Sequence, residues 1–301
     1  MRWPDFLLIG AAKSGTTALF NFLKQHPDIY GCPVLEPNFF ALEASNQVFA
    51  GPGDGRTIER NSVRDKQAYQ QLFSDASEAQ CVGEVSPLYL YHEEAPARIK
   101  QYVPNMRLIC VLRNPIDRAY ASYLHLQRDG REPSHSFEEA LVKESIRVDK
   151  GWEHLWHFRR MGCYATQLQR YVEHFDREQI KLFLYDDFQA DPGAVVRACY
   201  AFLGVTTDFA PDMSRRFNPS GIPRSDYLQQ MVSGQGTVKQ ILKRLTPTRL
   251  RGRIFSTIQR VNLTRPDMQA ATRKELIDWY KDEINALADL IGRDLSHWLS
   301  D

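Results

Sequence analysis

The sequence predicts an α/β fold, a central parallel sheet flanked by helices, and three observations carry that prediction. Continuous apolar runs at residues 6–9, 107–112 and 180–185 are separated by helix-length segments, the pattern of strands buried on both faces. The first run stops at Gly10, crosses a small polar loop and enters an amphipathic stretch. Helix-starting signals follow two of the runs directly, as Asn114-Pro115 and Asp191-Pro192.

Taken in order, Phe6 to Ile9 reads as a strand and Ala18 to Gln25 as a helix closed by Pro27. The intervening loop, Gly10-Ala11-Ala12-Lys13-Ser14-Gly15-Thr16-Thr17, presents backbone amides at a helix N-terminus together with a cation and three hydroxyls. Unsatisfied donors and the helix dipole point the same way there, so the loop suits a phosphate or sulfate. Glu36 precedes Pro37, which predicts an extended conformation at Glu36. It is either an exposed loop acid or a carboxylate facing the same cleft as the loop. Residues 44–62 read as loop, with Gly51-Pro52-Gly53-Asp54-Gly55 the clearest break.

A helix is expected around Lys66 to Phe73, a short strand over 80–85, and an aromatic loop with Tyr89, Tyr91 and His92. His92 alone reads as a packing or surface histidine. Arg107 to Leu112 is the strongest strand signal, ending at Arg113. Asn114 then caps a helix whose first turn holds Pro115 and Asp117, and which carries Ser122 about two turns in. Ligands gather at the carboxyl ends of strands in open α/β sheets, and Lys13 and Arg113 both fall on that edge.

Ser136-Phe137-Glu138-Glu139 is a capping box. Trp152, Trp156 and His157 either line a cleft or pack. The helix after Gly162 places Leu168, Tyr171, Val172 and Phe175 on one face, predicted to be buried. A strand over 180–185 leads to Asp186-Asp187 and to a helix ended by Gly204. Asn218 to Ser225 is a turn-rich loop, and Thr272 to Leu299 a helical tail whose Trp298 and Leu299 dock on the core.

A net charge of +1 argues against a globally basic nucleic-acid binder. Cys32, Cys81, Cys110, Cys163 and Cys199 are odd in number and scattered, which predicts reduced thiols in a cytoplasmic protein without zinc. No signal peptide or transmembrane span is expected. Between 238 and 266 the chain carries eight Lys or Arg and no acid before Asp267, with interleaved Ile and Leu. That pattern fits a solvated helical pair, an anionic acceptor or peripheral contact with an anionic surface through 239–265.

The first loop differs from a Walker A motif, in which lysine follows the last glycine and a hydroxyl holds Mg²⁺. Here Lys13 precedes Gly15, and Thr16-Thr17 takes the place of the Lys-Ser/Thr pair. A sulfuryl group carries less charge than several phosphates, so a lysine and backbone donors suffice for it without metal.

Gly10-Ala-Ala-Lys-Ser-Gly-Thr-Thr17 together with Arg113-Asn-Pro-Ile-Asp-Arg-Ala-Tyr-Ala-Ser122 resembles the sulfotransferases that use 3′-phosphoadenosine 5′-phosphosulfate (PAPS), with similarity to the heparan sulfate branch. The resemblance runs from the first strand to Gly204, and Gly292 to Trp298 is similar to the ends of bacterial members. It implies a P-loop nucleotide-kinase-like three-layer domain, with 1–301 a single sulfotransferase domain carrying a variable basic helical segment around 226–265. It also implies transfer of sulfuryl from PAPS to a hydroxyl or amine of a small-molecule, carbohydrate or lipid acceptor. In that pattern Lys13 binds the phosphosulfate bridge, Ser14, Gly15, Thr16 and Thr17 hold the 5′-phosphate, and Arg113 and Ser122 grip the 3′-phosphate. Arg224 and Ser225 close over the cofactor, and Glu36 is the general base, with His92 and His125 as alternatives. Leu35 and Val85 stand where several relatives carry lysine, which weakens the case for a heparan-like polyanionic acceptor. The rival readings are a nucleotide kinase or NTPase with a degenerate loop, using Asp186 and Asp187 for metal, and a non-catalytic nucleotide- or sugar-binding module.

Overall fold

A computed structural model describes residues 2–78, 80–214, 222–223, 263–264 and 266–300. Five strands form one sheet: β1 (Phe6–Gly10), β2 (Ile29–Gly31), β3 (Cys81–Val85), β4 (Arg107–Leu112) and β5 (Ile180–Leu184). Their order is β2-β3-β1-β4-β5 and every pairing is parallel. β1 therefore lies at the centre, and the chain crosses from one side of it to the other between β3 and β4. In open α/β sheets a ligand crevice lies at the carboxyl edge of such a switch point.

Successive residues of β1 bury opposite faces. Leu7 and Ile9 join one core with Val82, Leu108, Cys110 and Leu112, roofed by Tyr69, Tyr89, Trp156 and Tyr171. Phe6 and Leu8 join the other with Ile109 and Val111. Gly83 sits across from Phe6 in the β1–β3 register, and a Cβ there would meet the Phe6 ring at 2.2 Å.

The helices follow from local signals that the sequence displays. The first, α1 (Thr16–Leu23), follows a left-handed Gly15 and starts two residues before the expected Ala18. α2 (Phe39–Leu42) precedes the loop expected over 44–62, which is interrupted by a 3₁₀ turn at Asp54–Arg56 and the short α3 (Ile58–Asn61). α4 (Lys66–Gln71) is capped by Asp65, which accepts from the Ala68 amide. The aromatic loop contains α5 (Leu88–Tyr91), and α6 (Ala95–Tyr102) follows without having been anticipated. In α7 (Pro115–Arg128) Asn114 is the N-cap, accepting from Ile116.

α8 (Phe137–Val142) is capped by Ser136, while the Glu139 carboxylate turns back to the His135 amide. α9 (Glu144–Asp149) leads to α10 (Tyr164–Val172), which buries Leu168 and Tyr171 but leaves Val172 exposed, against expectation. The 180–185 run divides: the strand stops at Leu184, and Tyr185 opens α11 (Tyr185–Ala190). α12 (Pro192–Leu203) runs from the Asp191 cap to Gly204 at φ 74°. It packs with α1 over the Phe6 face. α13 (Ala270–Ile291) lies on α10 and on the other face, and Trp298 is 1% exposed at the end of the tail.

This is the three-layer, P-loop nucleotide-kinase-like arrangement. Ile222–Pro223 pairs antiparallel with Leu263–Thr264. Arg224, Ser225 and the basic segment expected around 226–265 lie outside the described residues, apart from the backbone of those two strands. No described helix is long and apolar enough to cross a membrane.

Candidate active site

A cleft of about 480 Å³ opens at the carboxyl edge of β1 and β4. Its floor is the loop from β1 to α1. The N-cap, Gly15, offers no side-chain acceptor to the helix, and the first amide bonded along α1 is that of Leu19, to the Gly15 carbonyl at 3.0 Å. The amides of Thr16, Thr17 and Ala18 precede that bond and have no intrahelical acceptor. A Cβ on Gly15, already at φ 86°, would press Tyr185 and Phe188 at 3.1–3.2 Å. Only glycine lets the loop lie this close to α11.

Lys13 lines the cleft from a left-handed backbone, φ 67°. Burial is the main cause that lowers its ammonium to about 8, aided by the Arg128 and Arg113 charges and opposed by Asp129 and Glu36. Glu36 lines the same cleft, also left-handed at φ 57°. The extended conformation expected before Pro37 is thus overridden, and tertiary hydrogen bonds are the reason. The Glu36 amide donates to the Val85 carbonyl (3.1 Å), the Asn38 amide to Ser86 Oγ (3.0 Å), and Asn38 Nδ2 back to the Glu36 carbonyl (2.8 Å). Burial raises the Glu36 carboxyl above its ordinary value, and Lys13 pulls the other way. Three non-glycine residues in a sparsely populated region, Lys13, Glu36 and Asn38 (φ 52°), line one cleft, a concentration of strain typical of functional sites.

Behind this strap stands Glu84 on β3. It accepts from Tyr89 Oη (2.6 Å), Ser86 Oγ (2.8 Å) and Tyr69 Oη (3.1 Å). Burial pushes it up to about 7 against those donors.

Arg113 closes the other side. Its Nη1 donates to the Lys13 carbonyl at 3.0 Å, and its guanidinium lies 4.9 Å from the centroid of the Tyr185 ring. Ser14 and Ser122 are fully buried, and Ser122 Oγ has no hydrogen-bond partner among the described residues. The structure thus brings Lys13, Gly15, Thr16, Thr17, Glu36 and Arg113 to the cleft wall, while Ser14 and Ser122 are buried and do not line it.

Of the alternative bases, His125 lines the cleft and His92 does not. His125 Nδ1 lies 2.7 Å from Arg128 Nη2, a donor, so Nδ1 accepts. Burial, then Lys13 and Arg128, hold it well below the usual imidazole value. Its free lone pair is already engaged, which leaves Glu36 the better-placed base.

Several cleft residues escaped sequence reasoning. Trp156 and His157 pack, with Trp156 fully buried and Tyr91 Oη 2.8 Å from His157 Nδ1. Between them and Trp152, Glu153 and His154 line the cleft with Arg131. Charged residues inside an aromatic run were the available signal. Asp186 and Asp187, the metal carboxylates of the kinase reading, are engaged by the tail. Trp298 Nε1 donates to Asp186 Oδ2 (3.1 Å), and Arg293 pairs with Asp187 (2.8 Å).

The chain is 35% identical to a sulfotransferase from Alicyclobacillus acidocaldarius, whose crystal structure superposes with a TM-score of 0.79 over all of both chains. It is 28% identical over 307 residues to bifunctional heparan sulfate N-deacetylase/N-sulfotransferase 1 of Xenopus laevis, covering 99% of this chain and 31% of that protein. It is 30% identical over 206 residues to human heparan sulfate glucosamine 3-O-sulfotransferase 6, covering 68% of this chain and 53% of that one. The chain thus spans about a third of the length of the N-deacetylase/N-sulfotransferases it matches. Residues 4–209 match the model of the sulfotransferase family, and the chain belongs to that family.

Proposed function

We propose that this sulfotransferase moves a sulfuryl group from PAPS to a hydroxyl or amine of an acceptor, with Glu36 as general base and without a metal. The observation that carries the reading is the meeting of Lys13, Glu36 and Arg113 around uncapped helix amides in one cleft. The residues fit such a ligand: α1 amides for the 5′-phosphate, buried Ser14 and Ser122 hydroxyls, and a guanidinium braced on the loop backbone.

When bound, PAPS supplies an activated sulfuryl group on a phosphate leaving group. Lys13 holds positive charge where the bridging oxygen becomes anionic. Thr16 and Thr17, with Ser14 and Gly15, would hold the 5′-phosphate. Arg113 would take the 3′-phosphate together with Ser122; Arg224 and Ser225 lie outside the described residues. Glu36 accepts the acceptor's proton as the new bond to sulfur forms. A carboxyl raised by burial is a stronger base for that step.

We further propose that 1–301 acts as one sulfotransferase domain, with 239–265 contacting an anionic surface or acceptor, and that it works in the reducing cytoplasm, in keeping with its five scattered cysteines. The acceptor is a small molecule, carbohydrate or lipid. The test is incubation with ³⁵S-labelled PAPS and an acceptor panel in EDTA. Label transferred to an acceptor supports the reading. No transfer, combined with Mg-ATP binding, overturns it in favour of the nucleotide kinase.

A further inference from the structure

The cleft around Glu36 holds an unusual set of polar groups. Arg131, Glu153, His154 and Asn38 are 6%, 1%, 5% and 1% exposed, yet all four line the cleft. Each keeps unspent hydrogen-bonding capacity. Arg131 Nε donates to the Pro52 carbonyl (2.8 Å), and its Nη2 serves both Asp54 Oδ1 and Glu153 Oε1, the latter at 2.7 Å. Arg131 Nη1, His154 Nδ1 and Asn38 Oδ1 are buried without a hydrogen-bond partner among the described residues. Buried polar atoms in native proteins are normally satisfied, so three orphans on one cleft wall point to a ligand.

The charge there is also definite. One guanidinium is shared by two buried carboxylates, so the cluster is neutral or negative but never positive. Burial raises Glu153 to about 7 despite Arg131, with Asp54 and Glu36 adding to the rise. His154 is lowered to about 3 and stays neutral. The mouth of the cleft differs: Arg56 and Arg60 are exposed there.

We propose that Asn38, Arg131, Glu153 and His154 form the acceptor subsite beside Glu36, and that it takes an uncharged hydroxyl or amide of the acceptor and rejects an anionic group. The inference rests on the sulfotransferase reading above. A hydroxyl both donates and accepts, so it satisfies Asn38 Oδ1 or Glu153 and Arg131 Nη1 together. A carboxylate or sulfate only accepts. It would leave Asn38 Oδ1 unmatched and stand against Glu36 and Glu153 in a desolvated pocket. Acceptor anions are therefore confined to the Arg56 and Arg60 rim.

The test uses matched acceptors that differ in one group, methyl glucoside and methyl glucuronide, with labelled PAPS, and titrates 3′-phosphoadenosine 5′-phosphate (PAP) separately. The wild type is expected to prefer the glucoside by about tenfold or more, and Glu153→Gln to cut that preference severalfold without changing PAP affinity. A wild type that prefers the glucuronide, or one that turns over neither sugar while binding PAP, overturns the subsite and leaves the sulfotransferase reading intact. Loss of PAP binding by the wild type itself overturns the reading beneath it.

Discussion

At the scale of single residues, the account turns on two left-handed side-chain carriers, Lys13 and Glu36. Glu36→Gln keeps the size and the hydrogen bonds of the strap but removes the proton acceptor. Turnover should fall by about 10²–10⁴ while PAP affinity, measured by calorimetry, stays within about twofold. Unchanged turnover would pass the base role to His125. The two residues also set a pH window. Catalysis needs Glu36 ionised and Lys13 protonated, so kcat/KM should rise on a limb above the ordinary carboxylate range and fall near pH 8. Lys13→Arg should move the alkaline limb upward, since a guanidinium stays charged. A limb that does not move in that variant would remove Lys13 from the ionisation.

Sequence showed the residue types at this scale but not their postures. Pro37 argued for an extended Glu36, and the left-handed turn is explained by hydrogen bonds that the strap donates to Val85 and Ser86, distant in the chain, with Asn38 closing back on the Glu36 carbonyl.

At the scale of elements, the loop before α1 and the tail after α13 support the site from two sides. Gly15→Ala would be strained by roughly 1–2 kcal/mol in a left-handed backbone and would crowd Tyr185 and Phe188. PAP affinity should drop by more than the thermal midpoint suggests, which a parallel titration and melt would show. The tail acts through Trp298. Its carbonyl accepts from Asn114 Nδ2 (3.3 Å) and its indole donates to Asp186, so it clamps the residue after Arg113 to the residue after Tyr185. Trp298→Ala should lose about 3–5 kcal/mol in urea unfolding and weaken PAP binding through Arg113. An unchanged urea midpoint would contradict the docking.

β4 and the Asn114 cap were legible because a strand covered on both faces is a continuous apolar run, and a cap is a local motif. β2 was not, since three residues at a sheet edge carry no period. Nor was the break at Tyr185, whose apolar ring continues the strand pattern while its backbone begins a helix.

At the scale of the molecule, the sheet order follows from which strands are buried, and the crevice follows from the order. The acceptor wall does not. Asp54 meets Arg131 from 77 residues away and the Glu153 amide from 99, and no spacing in a single sequence marks that meeting. Buried acids such as Glu84 also shape stability as a whole. Its folded value, about 7, lies above the ordinary 4.5, so its ionisation favours the unfolded chain. Its contribution is full below about pH 4.5 and is lost as pH rises through about 7. Glu84→Gln should therefore flatten the urea midpoint against pH across that window, and an equally steep profile would assign the slope to other groups.

The claim on which everything else depends is that the cleft between α1 and Arg113 is built for PAPS. Calorimetric titration of PAP in EDTA, against wild type, Lys13→Ala and Arg113→Ala, tests it most directly. The account predicts one site per chain without metal, weakened at least about tenfold by each substitution. No PAP binding by the wild type, with Mg-ATP binding in its place, would contradict it.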